Sequence, residues 1–314
     1  MKRTVRRIFT LLLIYILIFA ARVLPRRWGL ALFTGLGSLA YRIFRKDRER
    51  AIENIARAFP GTDPLIVQAI AKGSFKVLGR NAFDALRLVF LSRDRVMRLC
   101  RVEGEEHLRT ASEEGNGVIA VTGHIGCWEL LAAYFSDKGY KVSVIARDLR
   151  DGRLNELLVS MRKRHGIVSV PRGSSAITGY RVLRRGEILG MLLDQDIDVD
   201  GVFVPFFGVP AHTPRGAAAF ALRSGATVVP VAIHIQPDRL HRITVLPRLE
   251  IPDGNLSEEQ RIDELTRLST EAIERLIRIY PQQWVWFHER WRKRPGPGDR
   301  VSMGQKREEQ ARFH

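Results

Sequence analysis

The sequence is poor in cysteine, and this shortage excludes several classes of protein. Two cysteines, Cys100 and Cys127, are too few for a disulfide framework and suit a reducing compartment. They form no CxxC motif and no cysteine–histidine cluster with zinc spacing. Internal repeats and low-complexity blocks are also missing, and apolar runs recur throughout, which excludes a largely disordered chain. We therefore expect a folded protein with no metal and no cofactor.

Acidic residues are scarce relative to basic ones. The chain has 51 lysines and arginines against 34 aspartates and glutamates, a formal net charge of +17. A balance this basic requires an acidic partner, either nucleic acid or an anionic membrane surface. Neither base-stacking platforms nor the signature of a nucleic-acid-binding fold is present, so we predict a membrane and no nucleic acid.

No long hydrophobic run is present, although the N-terminus comes close. The uncharged run 8–21 has 14 residues, and as a helix it reaches about 21 Å, less than the roughly 30 Å of a bilayer core. A second apolar run, 28–41, follows two arginines. A cleaved signal peptide, a short or tilted spanning helix, and a monotopic anchor each explain this pattern. Because no small-residue cleavage site is evident, we favour membrane attachment through residues 1–45. Whether this segment spans the bilayer or dips into one leaflet is left open.

The remaining chain predicts one α/β domain, residues 46–294, followed by a polar tail, 295–314. The first 100 residues are mostly helical in pattern, and short β-branched segments then alternate with helical ones. Such alternation favours a mostly parallel central sheet flanked by helices. The predicted strands are 117–123, 141–147, 167–170, 187–193, 227–235 and 241–247. The predicted helices after residue 100 are 127–137, 152–165, 174–185, 214–224 and 257–279.

The stretch VTGHIGCWELL, residues 121–131, is the best candidate for chemistry. A strand ends at His124, and Glu129 follows one turn into a helix. Ligands collect at the carboxyl ends of parallel strands. A histidine can take a proton from a hydroxyl near neutral pH, and a carboxylate on its Nδ1–H fixes the tautomer. We predict His124 as general base and Glu129 as its orienting partner. A plain helix start, with Glu129 complementing the helix dipole, would explain the same residues.

Several blocks resemble one known family. GNGVIAVTGHIGCWELLAAY is similar to the active-site block of the bacterial lipid A biosynthesis acyltransferases, the lauroyl and myristoyl transferases of the lysophospholipid acyltransferase superfamily. Six further similar blocks occur in the same order: NIARAFPG (54–61), VEGEEHL (102–108), LNELLVSMRKRHG (154–166), LLDQD (192–196), VFVPFFGVPAHTPRGAAAFALRSGATVVPV (202–231) and YPQQWVWFHERW (280–291). In one departure, Cys127 stands where relatives often carry asparagine.

The resemblance implies an O-acyltransferase at the bacterial inner membrane, with its active site facing the cytoplasm. The donor would be acyl-carrier protein or acyl-CoA, and the acceptor a hydroxyl of a lipid A precursor or related glycolipid. An acidic carrier protein suits so basic a surface. The loop around residues 206–214 would form part of the acyl pocket.

Other residues complete the predicted site. Arg162 lies at the margin of an apolar helix face, and the resemblance implies that it is near the substrate or the oxyanion. Gly126 lets the backbone turn and a substrate approach, and backbone N–H groups at the helix start could hold the oxyanion. Asp194 follows another strand and can line the same crevice. Aromatic and basic residues near the C-terminus predict membrane or lipid contacts: Trp284, Trp286 and Arg290.

Three alternatives remain. Relatives with the same histidine and glutamate act on other glycolipids such as phosphatidylinositol mannosides. Cys127, in the first turn of a helix and close to His124, would make a thioesterase if it were a nucleophile. A basic membrane-binding scaffold without activity explains the charge but not the motifs at the strand ends.

Overall fold

The computed structural model describes residues 2–149, 151–172, 175–252 and 255–302, with backbone alone at 2–10 and 175. The first hundred residues are helical, as predicted, and form α1 (Lys2–Val23), α2 (Arg26–Ile43), α3 (Arg45–Ala58), α4 (Pro64–Leu88) and α5 (Arg93–Leu99). Later helices are α6 (Glu105–Glu113), α7 (Trp128–Lys138), α8 (Gly152–Arg164), α9 (Ser175–Arg184), α10 (Gly216–Ser224) and α11 (Glu258–Ile279). Most of the predicted tail, from residue 303 onward, lies outside the described residues.

The central sheet confirms the predicted α/β class. Its strands are β1 (Cys100–Glu103), β2 (Val118–Thr122), β3 (Val142–Ala146), β4 (Val168–Pro171), β5 (Ile188–Leu192), β8 (Thr227–Ile235) and β9 (His241–Val245), in the spatial order β1-β9-β8-β2-β5-β3-β4. Strands β8, β2, β5, β3 and β4 are mutually parallel, while β9 runs antiparallel to β8 and pairs in parallel with β1. The carboxyl ends of β2 and β5 therefore meet at one edge.

A hairpin missed by the sequence analysis lies beside this sheet. Strands β6 (Gly201–Phe206) and β7 (Val209–Pro214) pair antiparallel in a region predicted as a loop entering a helix. The turn between them is Phe207-Gly208, and both residues have positive φ, 53° and 76°. Two positive φ values define the tight turn that suits the twist of a hairpin. The three prolines in the paired segments explain why the strands were not predicted, because proline is uncommon inside a sheet.

Alternating side chains divide the sheet into two packed faces. Ile119 and Val121 of β2 join the core beneath α9, α10 and α11. Val118, on the opposite face, packs with residues of α6, α7 and α8. Burial of both faces explains why these strands read as continuous apolar runs.

The N-terminal helices pack on α4 through small residues. A Cβ atom at Gly37 would lie 2.2 Å from the carbonyl oxygen of Phe75, so only glycine allows α2 to come this close to α4. The opposite side of α2 is apolar and exposed; it carries Trp28, Leu32, Leu36, Leu39 and Ile43. Among the described residues, no helix combines the length and apolar character needed to cross a membrane.

Candidate active site

His124 lies at the edge where β2 and β5 end. β2 ends at Thr122, and the backbone N–H of Leu193, just after β5, donates to the Thr122 carbonyl over 3.0 Å. This pairing brings Asp194 against the next turn of chain. A Cβ atom at Gly123 would lie 2.9 Å from an Asp194 carboxylate oxygen, so glycine is needed there. The adjacency of two parallel strands thus places His124 beside Asp194.

Asp194, rather than Glu129, orients the His124 ring. Nδ1 of His124 lies 2.8 Å from Oδ1 of Asp194, and its backbone N–H donates to Oδ2 over 2.6 Å. A carboxylate only accepts, so the proton of this pair is on Nδ1 and the lone pair on Nε2. The His124 side chain is 19% exposed and the Asp194 side chain is fully buried. His124 therefore has the tautomer and partial access of a general base.

A tryptophan completes the shell around Asp194. The indole Nε1–H of Trp284 donates to Oδ2 of Asp194 over 2.7 Å. Burial alone would raise the pKa of Asp194, but the charge and hydrogen bond of His124, the charge of His288 and the Trp284 hydrogen bond together lower that pKa below its usual value. The carboxyl group is thereby kept ionised and ready to stabilise an imidazolium.

Two rings flank His124. The Trp128 ring lies 4.9 Å from it at 71°, and the His288 ring 4.8 Å at 88°. Burial, together with the positive charge that His124 can carry, lowers the pKa of His288 to about 4. Nε2 of His288 contacts the Gln195 amide nitrogen over 3.3 Å, while its buried Nδ1 has no hydrogen-bond partner in the described part of the chain. His288 is therefore neutral near pH 7 and offers one unused N–H.

Glu129 is engaged elsewhere, which corrects the predicted contact with His124. Nε and Nη2 of Arg162, on α8, donate to its two carboxylate oxygens over 2.9 and 2.6 Å. The side chains are only 9% and 13% exposed. A guanidinium fork matches a carboxylate in this two-pronged way, and such pairs are strong when shielded from water. The structure therefore pairs the charge of Arg162 with Glu129 of α7, and its predicted contact with the substrate or the oxyanion stays a prediction.

Gly126 makes the predicted backbone turn, but the group that comes close to it is not a substrate. Its φ is +58°, and a Cβ atom there would lie 1.8 Å from the carbonyl oxygen of Ile233. Its N–H donates to the carbonyl of Gln283 over 2.9 Å. A close approach does require glycine here, but the approaching group is protein backbone. The Gly126 N–H is therefore not available to an oxyanion.

The predicted lipid contacts near the C-terminus are wrong. Trp284, Trp286 and Arg290 are at most 1% exposed. Trp284 binds Asp194, and Arg290 donates to the carbonyl of His212 over 2.5 Å. These three residues belong to a buried segment that folds across the site. Both of their indole N–H groups have an internal acceptor, and two nitrogens of the Arg290 guanidinium donate, to the carbonyl of His212 and to the hydroxyl of Thr213.

Cys127 lacks the properties of a nucleophile. It is 2% exposed and is the N-cap of α7. Burial raises the pKa of its thiol well above the usual value, and the Sγ atom contacts the backbone carbonyl of Asn81 over 3.6 Å. A helix start lowers a thiol pKa only where the thiolate is solvated or paired. The structure thus gives no support to a cysteine-dependent thioesterase.

Three groups here lie close enough to share a metal ion: one ligand atom each from His124, Asp194 and His288 lies within 4.8 Å of the others. However, the Asp194 oxygens already accept from three N–H donors. This is the pattern of a carboxylate that orients a base. Asp196, two residues further along the chain, accepts from the backbone N–H of Lys293 over 2.7 Å.

Three cavities lie near the site. One, of about 330 Å³, lies at the ends of β3 and β5, has both apolar and charged residues in its lining, and includes Pro214 of the segment that the resemblance assigns to the acyl pocket. A narrower one runs between α7 and the sheet from Trp128 and Thr122 toward Val142 and Ile188. A third, of about 160 Å³, lies between α4 and the start of α7.

The sequence analysis missed the parts of the site that come from the C-terminal segment. Trp284 and His288 lie 90 residues or more beyond Asp194 along the chain. Their block was identified only as aromatic and basic, which is also typical of a membrane interface. The predicted strands end just before His124 and Asp194, so the sequence indicated these two residues. It carried no comparable signal for Trp284 or His288.

Comparison with known proteins finds several acyltransferases that are similar to this chain. A lauroyltransferase of lipid A biosynthesis from Escherichia coli K12 is 25% identical over 264 residues, 83% of this chain and 84% of the relative. A phosphatidylinositol mannoside acyltransferase from Mycobacterium tuberculosis H37Rv is 22% identical over 249 residues, 77% of each chain. A palmitoleoyltransferase of lipid A biosynthesis from E. coli K12 is 24% identical, covering 83% and 84%. The model of the bacterial lipid A biosynthesis acyltransferases matches residues 1–293, and the chain belongs to this family of acyltransferases.

Proposed function

We propose that this acyltransferase moves a fatty acyl chain from the thioester of acyl-carrier protein or coenzyme A to a hydroxyl of a lipid A precursor or a related glycolipid. The observation that carries the proposal is the His124–Asp194 pair. It leaves the Nε2 lone pair at a partly open strand edge with apolar cavities nearby. A hydroxyl acceptor needs such a base, and an acyl chain needs such cavities.

The proposed reaction needs no covalent enzyme intermediate. Nε2 of His124 takes the proton of the acceptor hydroxyl as the oxygen attacks the thioester carbonyl. Asp194, 2.8 Å from Nδ1, stabilises the imidazolium that forms. The tetrahedral intermediate then expels the thiolate, which takes the proton back from His124. One C–O bond forms, one C–S bond breaks, and the base is regenerated.

The oxyanion is held by donors that the fold does not use. The N–H groups of His124 and Gly126 are committed to Asp194 and to Gln283. The first-turn N–H groups of α7 remain, since the first turn of a helix has no internal acceptors. The unused Nδ1–H of His288 and the Arg162 guanidinium, whose third nitrogen makes only a 3.4 Å contact with Ser169, lie at the same end of the sheet.

The start of the donor chain enters the narrow cavity between α7 and the sheet, whose volume of about 50 Å³ is the space of roughly two water-sized groups. Trp128 belongs to its lining and also contacts the His124 ring, so the cavity begins beside the base. Its other walls are almost entirely apolar: Leu108, Ala120, Leu131, Phe135, Val144 and Leu192 are among them. A methylene chain gains about 0.8 kcal/mol for each CH₂ group buried in such a place. Gly190, midway along β5, leaves room for it.

The membrane contact is the exposed side of α2. Trp28, Leu32, Leu36, Leu39 and Ile43 recur at helical spacing on that side, and the arginines at both ends of α2 suit anionic head groups. We expect α2 to lie in the interface. Leu32→Glu with Leu36→Glu should then release the protein from vesicles containing phosphatidylglycerol in a sedimentation assay, whereas Glu at the exposed Ala69 of α4 should not.

The acyl transfer is tested with defined substrates. The purified protein is given lauroyl- or myristoyl-loaded carrier protein, or the matching CoA thioester, with a lipid A precursor or a phosphatidylinositol mannoside as acceptor. His124→Ala should lower transfer by at least a thousandfold, while His107→Ala, a histidine on α6, should leave it unchanged. Near-normal turnover by His124→Ala would refute the mechanism. Transfer only to the mannoside would favour the second acceptor, to whose acyltransferase this chain is also similar.

A further inference from the structure

A cavity between α4 and the start of α7 is not used by the chemistry described above. It has a volume of about 160 Å³ and is lined by Leu78, Asn81, Ala82 and Ala85 of α4 and by residues 126–129. A water molecule has a share of roughly 30 Å³ in the liquid, so there is room for about five groups of that size. Ala82 is exposed and marks the opening, while Asn81 is 4% exposed and lies at the inner end.

A polar atom of the lining lacks a partner. Oδ1 of Asn81 is buried and has no hydrogen-bond partner within the described ranges. A buried amide oxygen without a donor is unfavourable, because its hydrogen bond to water has been lost and not replaced. The backbone carbonyl of Asn81 accepts from the Cys127 thiol across the two helices, over 3.6 Å, so it is the side-chain oxygen that is left without a donor. The cavity therefore has an apolar wall and one hydrogen-bond acceptor, Oδ1 of Asn81, that can accept from an N–H or O–H group of a ligand.

Trp128 separates this cavity from the one assigned to the donor chain. Trp128 belongs to the lining of both, and its ring lies 4.9 Å from that of His124. Two apolar spaces thus meet at one residue, next to the general base. Two hydrocarbon chains can approach the same reacting centre without competing for one space. The other side of α4 packs against α1 and α2, so the opening at Ala82 is on the helix that supports the proposed membrane surface.

We propose that the α4–α7 cavity binds a hydrocarbon chain of the lipid acceptor, near an amide N–H or a hydroxyl of that chain, which donates to Asn81. Trp128 keeps the acceptor chain apart from the donor chain. This inference rests on the proposed function and adds the subsite that distinguishes a lipid acceptor from a soluble sugar.

The test fills the cavity and compares two forms of one acceptor. Ala85→Leu puts three additional carbon atoms into the cavity, and Ala69→Leu makes the same change on an exposed face of α4 as a matched control. Each variant is assayed with the acylated lipid A precursor and with its deacylated, water-soluble glycan. Ala85→Leu should raise KM for the acylated acceptor about tenfold or more and leave kcat/KM for the glycan and KM for the acyl donor within twofold. Ala69→Leu should change neither.

A second variant and a binding measurement guard against misfolding. Asn81→Leu keeps the side-chain size and removes the acceptor atom, so it should weaken binding of the acylated precursor by at least fivefold. Binding is measured by calorimetry with the His124→Ala substitution present, so that no transfer takes place. Equal effects on both acceptors, or no effect of either variant, would overturn the inference. If the wild type acylates neither this precursor nor a mannoside, the proposed function has failed. Transfer with an unchanged KM in Ala85→Leu rejects the subsite alone.

Discussion

Replacing Asp194 with asparagine should abolish the general base without disturbing the fold. Asp194 accepts from the His124 backbone N–H over 2.6 Å, from Trp284 over 2.7 Å and from Nδ1 of His124 over 2.8 Å. An asparagine has one oxygen, which must face the two donors that share Oδ2. Its NH₂ group then points at Nδ1 of His124 and donates to it. The imidazole is forced into the tautomer that carries its proton on Nε2, where the base should have its lone pair.

The expected loss follows from that tautomer. In hydrolases that use a carboxylate to orient a histidine, the same exchange lowers kcat about ten-thousandfold, which corresponds to about 5 kcal/mol of activation free energy. We expect Asp194→Asn to lower transfer from acyl-carrier protein by at least a thousandfold. The free energy of unfolding should change little, because the His124 backbone N–H, the Trp284 indole N–H and Nδ1 of His124 each keep a hydrogen bond. The assay is single-turnover transfer of labelled acyl chain, with denaturant unfolding of the same preparations.

The control variant is Glu129→Gln, which keeps the size of the side chain and weakens its contact with Arg162. We expect about a tenfold loss, since that pair shapes the edge of the site without touching His124. The opposite ranking, with Glu129→Gln inactive and Asp194→Asn within threefold of wild type, would show that Glu129 orients the base during turnover and would refute our reading of the hydrogen bonds.

Four further variants test other parts of the structure. Cys127→Ala should transfer acyl groups within about threefold of wild type and trap no acyl-enzyme; a trapped adduct on wild type alone would contradict this. Arg162→Ala should cost about 3 kcal/mol of unfolding free energy by stranding a buried charge, and Arg162→Met with Glu129→Leu should recover most of it. Burial lowers the pKa of His234 to about 4, so the unfolded chain takes up a proton between pH 6.5 and 4 that the folded chain does not. Stability is lost as pH falls, by about 3 kcal/mol for this group, and His234→Phe should remove that part of the difference in unfolding free energy between pH 7 and 4.

The sheet was predictable because its strands are buried on both faces. Segments such as 117–123 and 227–235 are continuous, β-branched and bounded by glycine or charge, and a parallel sheet between helices is the arrangement that buries them. The hairpin of β6 and β7 was not predictable in this way. Its prolines at 205, 210 and 214 oppose a strand assignment, and its pairing depends on a turn with two positive φ values.

The identity of the base was predictable, whereas its partner was not. His124 ends a strand, and that position is visible in the sequence. Glu129 was chosen because it is close along the chain, but a carboxylate one turn into α7 points toward α8, where Arg162 provides a matching fork. Asp194 is 70 residues away. Only the knowledge that β5 lies next to β2 brings it to His124, and neighbouring positions in a parallel sheet are not determined by local sequence.

The C-terminal segment explains why the similar blocks are spread over nearly the whole chain. Asn54, on α3, donates from its amide to the backbone carbonyls of Trp286 and His288 over 2.8 and 2.9 Å. That contact fixes the segment whose Trp284 indole holds Asp194 and whose His288 ring stands beside His124. A histidine that must keep one tautomer needs a carboxylate held in one position, and a buried carboxylate needs hydrogen-bond donors from outside its own strand. Four distant parts of the sequence therefore contribute to one arrangement around His124.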